Sequence, residues 1–161
     1  MQIKKVLVPV DFSSCSRAAL AFAVDLAGKL EATLEVLHVL ELPHYVIPEV
    51  LVEVPGERKQ TLTEFARSEA SKDLQQMLDD LAAQGHRIKS RLKVGYPRDE
   101  ILAAAEEDQV DMIVMGTHGR TGISHLFLGS VAEQVVRRAR CPVMTIRVKE
   151  ETQDEEPIDS P

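Results

Sequence analysis

Residues 110–130 read VDMIVMGTHGRTGISHLFLGS, an apolar run that leads directly into a glycine-rich loop. The run is short and rich in valine and methionine, which is typical of a strand buried inside a parallel sheet. From Gly129 onward, the segment GSVAEQVVRRA has the pattern of a helix. The stretch therefore predicts a strand, a loop and a helix, with Gly116 and Gly119 at the carboxyl end of the strand. Two interpretations of the loop compete: a long turn, or a backbone cradle for phosphates.

The same alternation of strand and helix patterns runs through the rest of the chain. Further strands are predicted in four segments, KKVLVPVDF, ATLEVLHVL, HRIKSRLKVG and CPVMTIRV. Further helices are predicted at 13–30, 59–84 and 97–107. The order β-α-β-α-β-α-β-α-β predicts an α/β fold with one open, doubly wound, five-stranded parallel sheet and helices on both of its faces.

Helix ends and one connection carry more local signals. Ser13 or Ser14 is the expected N-cap of the first helix, and Gly85 is the expected C-cap of the second. Proline and glycine punctuate the connection 40–59, whose conformation the sequence leaves open. A single domain is expected over 1–148, followed by an acidic and disordered tail at 149–161.

Composition excludes several classes of partner. The chain has 161 residues and a formal net charge of -7. Because nucleic acids and anionic membranes both require a basic face, neither is expected as a main partner. No apolar stretch is long enough for a membrane span, so no membrane insertion is expected. Cys15 and Cys141 are the two cysteines, and without a signal peptide they are expected to be free, inert thiols in a cytoplasmic protein.

The glycine loop has the properties that a phosphate site requires. Ligands of open α/β sheets bind beyond the carboxyl ends of the strands, where the strand order reverses. Glycine lets phosphate oxygens approach backbone N–H groups, and a helix that starts at Ser130 adds orphan N–H groups and a favourable dipole. The chain lacks the P-loop lysine motif, the G-x-G-x-x-G dinucleotide motif, zinc-ligand spacing and the G-x-S-x-G elbow. A nucleotide site of another kind is therefore favoured.

At this point the chain resembles a known family. VLVPVDFS, MGTHGRTGISHLFLGSVAEQVV and CPVMTI are similar to segments of the universal stress protein family. Its nucleotide motif, G-x2-G-x9-G-[ST], is matched by Gly116, Gly119, Gly129 and Ser130, and the resemblance extends over 3–148. The resemblance implies the ATP-binding branch of the family and a Rossmann-like sheet of order 3-2-1-4-5. It places ATP at the switch between the first and fourth strands.

The resemblance also implies a set of nucleotide-binding residues. Asp11 would lie by the ribose and the metal-bound phosphates, with Mg²⁺ or Mn²⁺ bridging the phosphates and no metal ligand supplied directly. Val39 would contact adenine through its backbone, and the segments 115–120 and 129–131 would surround the triphosphate. The full expected set is Pro9, Val10, Asp11, Val39, Met115, Gly116, Thr117, His118, Gly119, Arg120, Gly129, Ser130 and Val131.

Several side chains have two interpretations. Asp11 could cap the first helix or face the ligand, and we favour the ligand role because an acid at this edge can do both. His118 and Arg120 could assist phosphate binding or point to solvent. Three further histidines are expected to have no catalytic role: His38, His44 and His125. Of these, His38 is expected to be packed in its strand. Three arginines suit the negative end of the last helix: Arg137, Arg138 and Arg140.

The last strand is predicted at an edge of the sheet, and an exposed edge favours pairing with another strand. We therefore expect a homodimer through 142–148, as in the family; the alternative is an edge covered by the tail. The favoured function is a stress-response regulatory protein that binds ATP, without a residue set for fast hydrolysis. The alternatives are a slow ATPase or phosphotransferase that uses Asp11 or His118, and a dimeric interaction protein that acts without nucleotide.

Overall fold

The computed structural model describes residues 2–42, 47, 50–53, 58–82, 88–117 and 128–148. Strands and helices alternate along these residues. In chain order the elements are β1 (Lys5–Val10), α1 (Ser14–Leu30), β2 (Thr33–Leu40), β3 (Leu51–Val52), β4 (Gln60–Thr61), α2 (Leu62–Ala82), β5 (Ile88–Val94), α3 (Pro97–Glu107), β6 (Met112–Gly116), α4 (Ser130–Arg138) and β7 (Val143–Ile146).

The main sheet has five parallel strands in the order β5-β2-β1-β6-β7. Counting only these five strands along the chain, the order is 3-2-1-4-5, so the predicted fold class and strand order are confirmed. The chain proceeds outward from β1 to β2 and β5, then returns to lie beside β1 as β6. The strand order therefore reverses between β1 and β6, where a crevice opens at the carboxyl ends of the strands.

The sequence did not predict a short antiparallel pair of strands, in which β3 lies in the connection 40–59 and β4 takes the place of the start of the predicted helix 59–84. Leu51 pairs with Thr61, and Val52 pairs with Gln60. Two residues per strand are too few to produce a readable alternation of apolar and polar side chains. The missed hairpin therefore reflects its length.

The core consists of two apolar layers on opposite faces of the sheet. Along β2, Leu34 and Val36 belong to the layer shared with α1 and α2, whereas Leu37 belongs to the layer shared with α3 and α4. Successive side chains of a strand point to opposite faces, and both faces here are covered by helices. This explains why the central strands β1 and β6 are nearly continuous apolar runs.

Helix ends agree with the sequence in part. Ser13 is the N-cap of α1, where its Oγ accepts a hydrogen bond from the Ser16 N–H at 3.2 Å. α3 begins and ends as predicted, with Pro97 in its first turn. α2 begins at Leu62 instead of residue 59, because the hairpin strand β4 immediately precedes it. The expected C-cap Gly85 and the tail 149–161 lie outside the described residues.

An ionic network attaches α3 to β2 and β5. Arg91 on β5 pairs with Glu35 on β2 at 2.8 Å and with Asp108 at the end of α3 at 2.7 Å. Lys93 pairs with Glu100 and Glu107 of α3 at 3.2 and 3.3 Å. Burial alone would lower the pKa of Lys93, but the hydrogen bonds that Lys93 donates to these two carboxylates, together with their negative charge, outweigh it and raise the pKa. The network fixes the start of α3 beside the crevice.

No helix within the described ranges is both long and apolar enough to cross a lipid bilayer.

Candidate functional site

A cavity of about 440 Å³ occupies the crevice at the carboxyl ends of β1, β2 and β6. Its lining comes from three strand ends, the turn after β1 and the first turns of α3 and α4. The lining residues are Pro9, Val10, Asp11, Ser16, Leu37, His38, Val39, Leu40, Glu41, Pro97, Ile101, Met115, Gly116, Thr117, Gly129, Ser130, Val131 and Ala132.

The cavity brings together most of the residue set predicted from the sequence. Ten members line it: Pro9, Val10, Asp11, Val39, Met115, Gly116, Thr117, Gly129, Ser130 and Val131. The other three, His118, Gly119 and Arg120, lie outside the described residues, as do His44 and His125. Sequence reasoning did not assign Leu37 and Ile101 to the site, since their only signal is the apolar pattern of a core residue.

Asp11 is held in a turn before α1 and does not cap that helix. Its Oδ1 accepts hydrogen bonds from the Ser13 N–H at 3.1 Å and from the Ser13 Oγ at 2.5 Å. Ser13 in turn caps α1, so Asp11 acts one step earlier by orienting the cap. The turn leaves the carboxylate group in the wall of the cavity. Of the two interpretations of Asp11, the helix-cap role is therefore taken by Ser13.

Gly116 is required by a close approach of α1. A Cβ atom at this position would lie 2.9 Å from the main-chain carbon of Cys15 and 2.9 Å from its Cβ. Real Cβ atoms do not tolerate such a distance from main-chain atoms, so only glycine fits here. The sequence suggested that this glycine gives phosphate oxygens access to the backbone; the structure shows that helix packing alone already requires it.

Two amides of the glycine motif are engaged within the protein. The Gly129 N–H donates to the Thr117 carbonyl at 2.7 Å, and the Thr117 N–H donates to the Ile146 carbonyl at 2.9 Å. These bonds connect the two ends of segment 118–128 and attach one of them to β7. The expectation of bare amides along the motif is therefore wrong for these two residues, since each amide already has a carbonyl partner.

The first turn of α4 supplies the donors instead. Gly129 is its N-cap and makes no side-chain capping bond, and the Glu133 N–H bonds back to the Gly129 carbonyl at 2.8 Å. The amides of Ser130, Val131 and Ala132 precede that first helical bond, and all three residues line the cavity. A helix start of this kind has orphan N–H groups and the positive end of the dipole, so it favours an anion.

The backbone of Val39 faces the gap between β2 and β6. The Leu40 carbonyl accepts the Gly95 N–H at 3.1 Å, so the backbone groups of Leu40 point toward the β5 side. Backbone groups of successive strand residues point to alternate sides, so those of Val39 point toward β1. The last register pair of β1 is Val10 with His38. Since the Thr33 N–H donates to the Lys4 carbonyl, the same register directs the Val39 N–H to the Val10 carbonyl, so Val39 presents only its C=O beyond the end of β1.

Charge in the described lining is negative and sparse. Asp11 and Glu41 are its acidic members, and none of the lining residues is lysine or arginine. No group of three or more histidine, cysteine, aspartate or glutamate side chains suited to a metal occurs within the described ranges.

For three residues outside the binding set, the structure confirms the packing of His38 and the free state of the two cysteines, which are half-buried. His38 is packed, with 2% of its surface exposed. Cys15 and Cys141 are free thiols, and burial raises the pKa of Cys141, which disfavours the reactive thiolate.

Comparison with known proteins identifies similar chains. Residues 2–147 match the family model described as the Universal stress protein family. Universal stress protein MJ0531 from Methanocaldococcus jannaschii is 31% identical over 145 residues, which covers 89% of this chain and 82% of that protein. The solved universal stress protein UspA from Lactobacillus plantarum has a TM-score of 0.75 and 29% identity, covering 91% of this chain and 99% of that one.

Two similar solved structures are nucleotide complexes. The universal stress protein from Archaeoglobus fulgidus in complex with dAMP has a TM-score of 0.62 and 25% identity, covering 91% of this chain and 99% of that one. A universal stress protein in complex with cAMP has a TM-score of 0.65 and 25% identity, covering 91% of this chain and 98% of that one.

Proposed function

The chain belongs to the universal stress protein family, and from this premise we propose that it is an ATP-binding regulatory protein of the stress response. The observation that carries the proposal is the cavity at the switch point, with the first-turn amides of α4 in its wall. Similar proteins in complex with dAMP and cAMP support an adenine nucleotide as the ligand. We place the protein in the cytoplasm, where the free thiols of Cys15 and Cys141 would stay reduced.

Val39 provides the proposed adenine contact. Its C=O can accept a hydrogen bond from the N6 amino group of adenine. Guanine presents a carbonyl oxygen at the corresponding position, so the Val39 C=O would face another acceptor. Leu37 and Ile101 add apolar walls to this part of the cavity. A preference for adenine over guanine follows from this arrangement.

The start of α4 provides the proposed phosphate contact. Backbone N–H groups and the helix dipole favour an anion there, and the Ser130 hydroxyl adds a further donor. This contact needs no lysine, in agreement with the lining that the structure describes. His118 and Arg120 remain part of the proposal as members of the phosphate-binding segment.

Asp11 fits a role toward the ribose or toward a metal on the phosphates. A carboxylate close to a phosphate is repulsive unless a cation lies between them or sugar hydroxyls donate to it. Mg²⁺ and Mn²⁺ are bound by oxygen ligands, and most of these oxygen ligands commonly come from phosphates and water. In this arrangement Asp11 would assist such an ion, and the ion would neutralise negative charge of the triphosphate.

We propose further that turnover is slow or absent. In the described part of the cavity, Asp11 is the candidate base or nucleophile, and its Oδ1 is engaged by Ser13. Phosphate-release kinetics test this proposal. A turnover of about one per second that disappears in Asp11→Asn would instead support the ATPase or phosphotransferase alternative, since that rate lies within the ordinary enzyme range.

Homodimerisation through 142–148 is also proposed. All four residues of β7 are partly exposed, and β7 is the last strand of the sheet. Phe22 of α1, which has 41% of its surface exposed, adds an apolar group to the helix that contacts β7. Molar mass measured by light scattering tests the dimer. A monomeric protein that still binds ATP would remove this part of the proposal alone.

The deciding experiment identifies the ligand directly. Nucleotide released from the purified native protein is analysed by mass spectrometry, and thermal melts are compared with MgATP, MgGTP and no ligand. We expect adenine nucleotide in the first measurement and a higher melting temperature with MgATP only in the second. Gly129→Val, whose backbone angles of φ -59 and ψ 150 suit any residue, should abolish the shift while the protein stays folded.

Two outcomes would contradict the proposed function. A protein whose melting temperature is insensitive to every adenine nucleotide does not use this cavity as proposed. If a Gly129→Val protein also kept its full cellular activity, the third alternative, a dimeric interaction protein without nucleotide, would replace the proposal.

A further inference from the structure

The turn that follows β1 contains an unfavourable backbone conformation. Phe12 has a φ of 66°, in the left-handed region that bulky side chains rarely adopt. Such a conformation persists only where the surrounding structure holds it, and residues of this kind are concentrated at binding sites. The neighbours of Phe12 are Asp11 and the helix cap Ser13. The groups that hold Phe12 therefore also determine where Asp11 points.

One buried side chain contacts the turn on both sides of Asp11. His38 has 2% of its surface exposed, and its Nδ1 lies 2.8 Å from the Val10 carbonyl oxygen. Because a carbonyl can only accept, Nδ1 carries the proton in this bond. The His38 ring also packs against the Phe12 ring, with centroids 4.4 Å apart and planes at 37°. Val10 and Phe12 are thus both fixed to β2 through a single residue.

The carboxylate of Asp11 is tied to the same turn. Its Oδ1 accepts from the Ser13 N–H and Oγ, and the Ser13 Oγ accepts from the Ser16 N–H. A shift of the backbone at Phe12 would break this series of bonds and rotate the carboxylate. The direction of the Asp11 side chain thus depends on contacts that His38 makes from β2.

We infer that His38 is a positioning residue, which holds the turn at 10–13 and thereby directs the Asp11 carboxylate toward the bound nucleotide. The role of Asp11 rests on the proposed function, whereas the holding of the turn does not. His38 acts through the backbone of Val10 and the ring of Phe12. His38 contributes a hydrogen bond from its ring to a backbone carbonyl and takes no part in chemistry on the ligand.

Amide hydrogen exchange on the ligand-free protein tests the holding of the turn. His38→Phe keeps an aromatic ring beside Phe12 but removes the donor to Val10. We expect the Ser13 and Ser16 amides to exchange at least about fivefold faster in this variant. Val36→Ala is the matched control, since Val36 is fully buried on the same strand and face but pairs with Val8, not with the turn. It should leave these two amides protected.

A double-mutant cycle on MgATP affinity tests the link to Asp11. We expect His38→Phe to weaken binding about tenfold in the otherwise native protein but less than about twofold in an Asp11→Ala background. His38→Asn, which restores a donor near the Nδ1 position, should lose less affinity than His38→Phe. It is also the second variant if His38→Phe does not fold, and its own cycle with Asp11→Ala should show the same non-additivity.

The outcomes separate this inference from the proposed function. Equal affinity losses in both backgrounds, an unchanged affinity in the single variant, or a loss as large in Val36→Ala would overturn it. Unchanged exchange at Ser13 and Ser16 would overturn it without any ligand. A native protein that binds no adenine nucleotide would remove the proposed function, and the link to Asp11 with it, while the exchange experiment would still decide whether His38 holds the turn.

Discussion

The two edges of the same sheet are built in opposite ways. At the amino ends of the strands, the Asp111 carboxylate accepts the N–H groups of Lys4 and Lys5 at 2.8 and 2.9 Å. The Asp111 N–H donates to the Lys5 carbonyl at 3.0 Å, and the Thr33 N–H donates to the Lys4 carbonyl at 2.8 Å. The main-chain groups in these bonds are thus satisfied by the protein itself. The cavity there measures about 220 Å³, half the size of the other.

The carboxyl edge leaves donors and acceptors directed into open space. The α4 start and Val39 both contribute backbone groups to a cavity of about 440 Å³. Backbone groups without a protein partner cost stability unless water or a ligand satisfies them. The difference between the edges shows that folding requires the polar groups of only one edge to be paired within the protein. The other is available for binding because its polar groups are not used for folding.

The largest effect on stability is expected for a substitution at the carboxyl edge, and it would show that part of this edge also contributes to folding. Gly116→Ala places a Cβ 2.9 Å from Cys15 main-chain and side-chain atoms. We expect a loss of about 2 kcal/mol in the free energy of unfolding, as for other overpacked core sites. Denaturant melts measure it.

Gly129→Ala is the matched control, and its unfolding free energy should change by less than about 1 kcal/mol because its backbone angles suit alanine. Equal losses at the two glycines would mean that both serve the fold in the same way.

A smaller effect compares one aspartate from each edge. Asp111→Ala removes the acceptor of two backbone N–H groups near the surface, so we expect the unfolding free energy to fall by about 1 kcal/mol. Its MgATP affinity should stay within about twofold of the native protein, since the site lies at the other edge.

Asp11→Ala should show the reverse pattern, with MgATP affinity reduced about tenfold by loss of a charged contact. Calorimetric titration and denaturant melts on both variants make the comparison. If Asp111→Ala weakened binding as much as Asp11→Ala, the two edges could not be regarded as functionally separate.

The smallest effect is a dependence of stability on pH at the amino edge. Backbone hydrogen bonds from Lys4 and Lys5 hold the pKa of Asp111 below its ordinary value of 3.8. A carboxylate with a lowered pKa in the folded state contributes stability above the unfolded pKa and loses it as pH falls through the folded pKa. The stability difference between the native protein and Asp111→Ala should therefore be constant near neutral pH and shrink below about pH 4.

Denaturant melts in steps from pH 7 to pH 2.5 measure this difference. A difference that stays constant down to the lowest pH would show that the ionised state of Asp111 contributes nothing to the closed edge.

The order of elements was readable because it depends on local patterns. Apolar runs such as 6–10 and 112–115 are buried fully only in a strand that is covered on both faces, and their alternation with helices favours right-handed crossovers. Pro97 marked the start of α3 by its own restricted geometry. The β3–β4 hairpin was not readable, because each of its strands has only two residues.

The location of the candidate site was also readable, but its working parts were not. Glycine spacing and the family resemblance placed it at the end of β6, where the cavity lies. The reason for Gly116 lies in Cys15, about a hundred residues earlier in the chain, and no local pattern reports that contact. Leu37 and Ile101 are core residues by pattern, and only the crevice between strands makes them walls of the cavity.

Local sequence patterns were sufficient to identify the five strands of the main sheet, the four helices and the edge of the sheet at which glycine is concentrated. Each of these follows from the conformational preferences and the periodicity of neighbouring residues. Only the tertiary structure decided which amides bond internally, as at Thr117 and Gly129, and which face the cavity, as at the start of α4. It also decided that His38 contacts Val10 and Phe12. These choices depend on distances between groups far apart in the chain, which are fixed only when the strands pair and the helices pack.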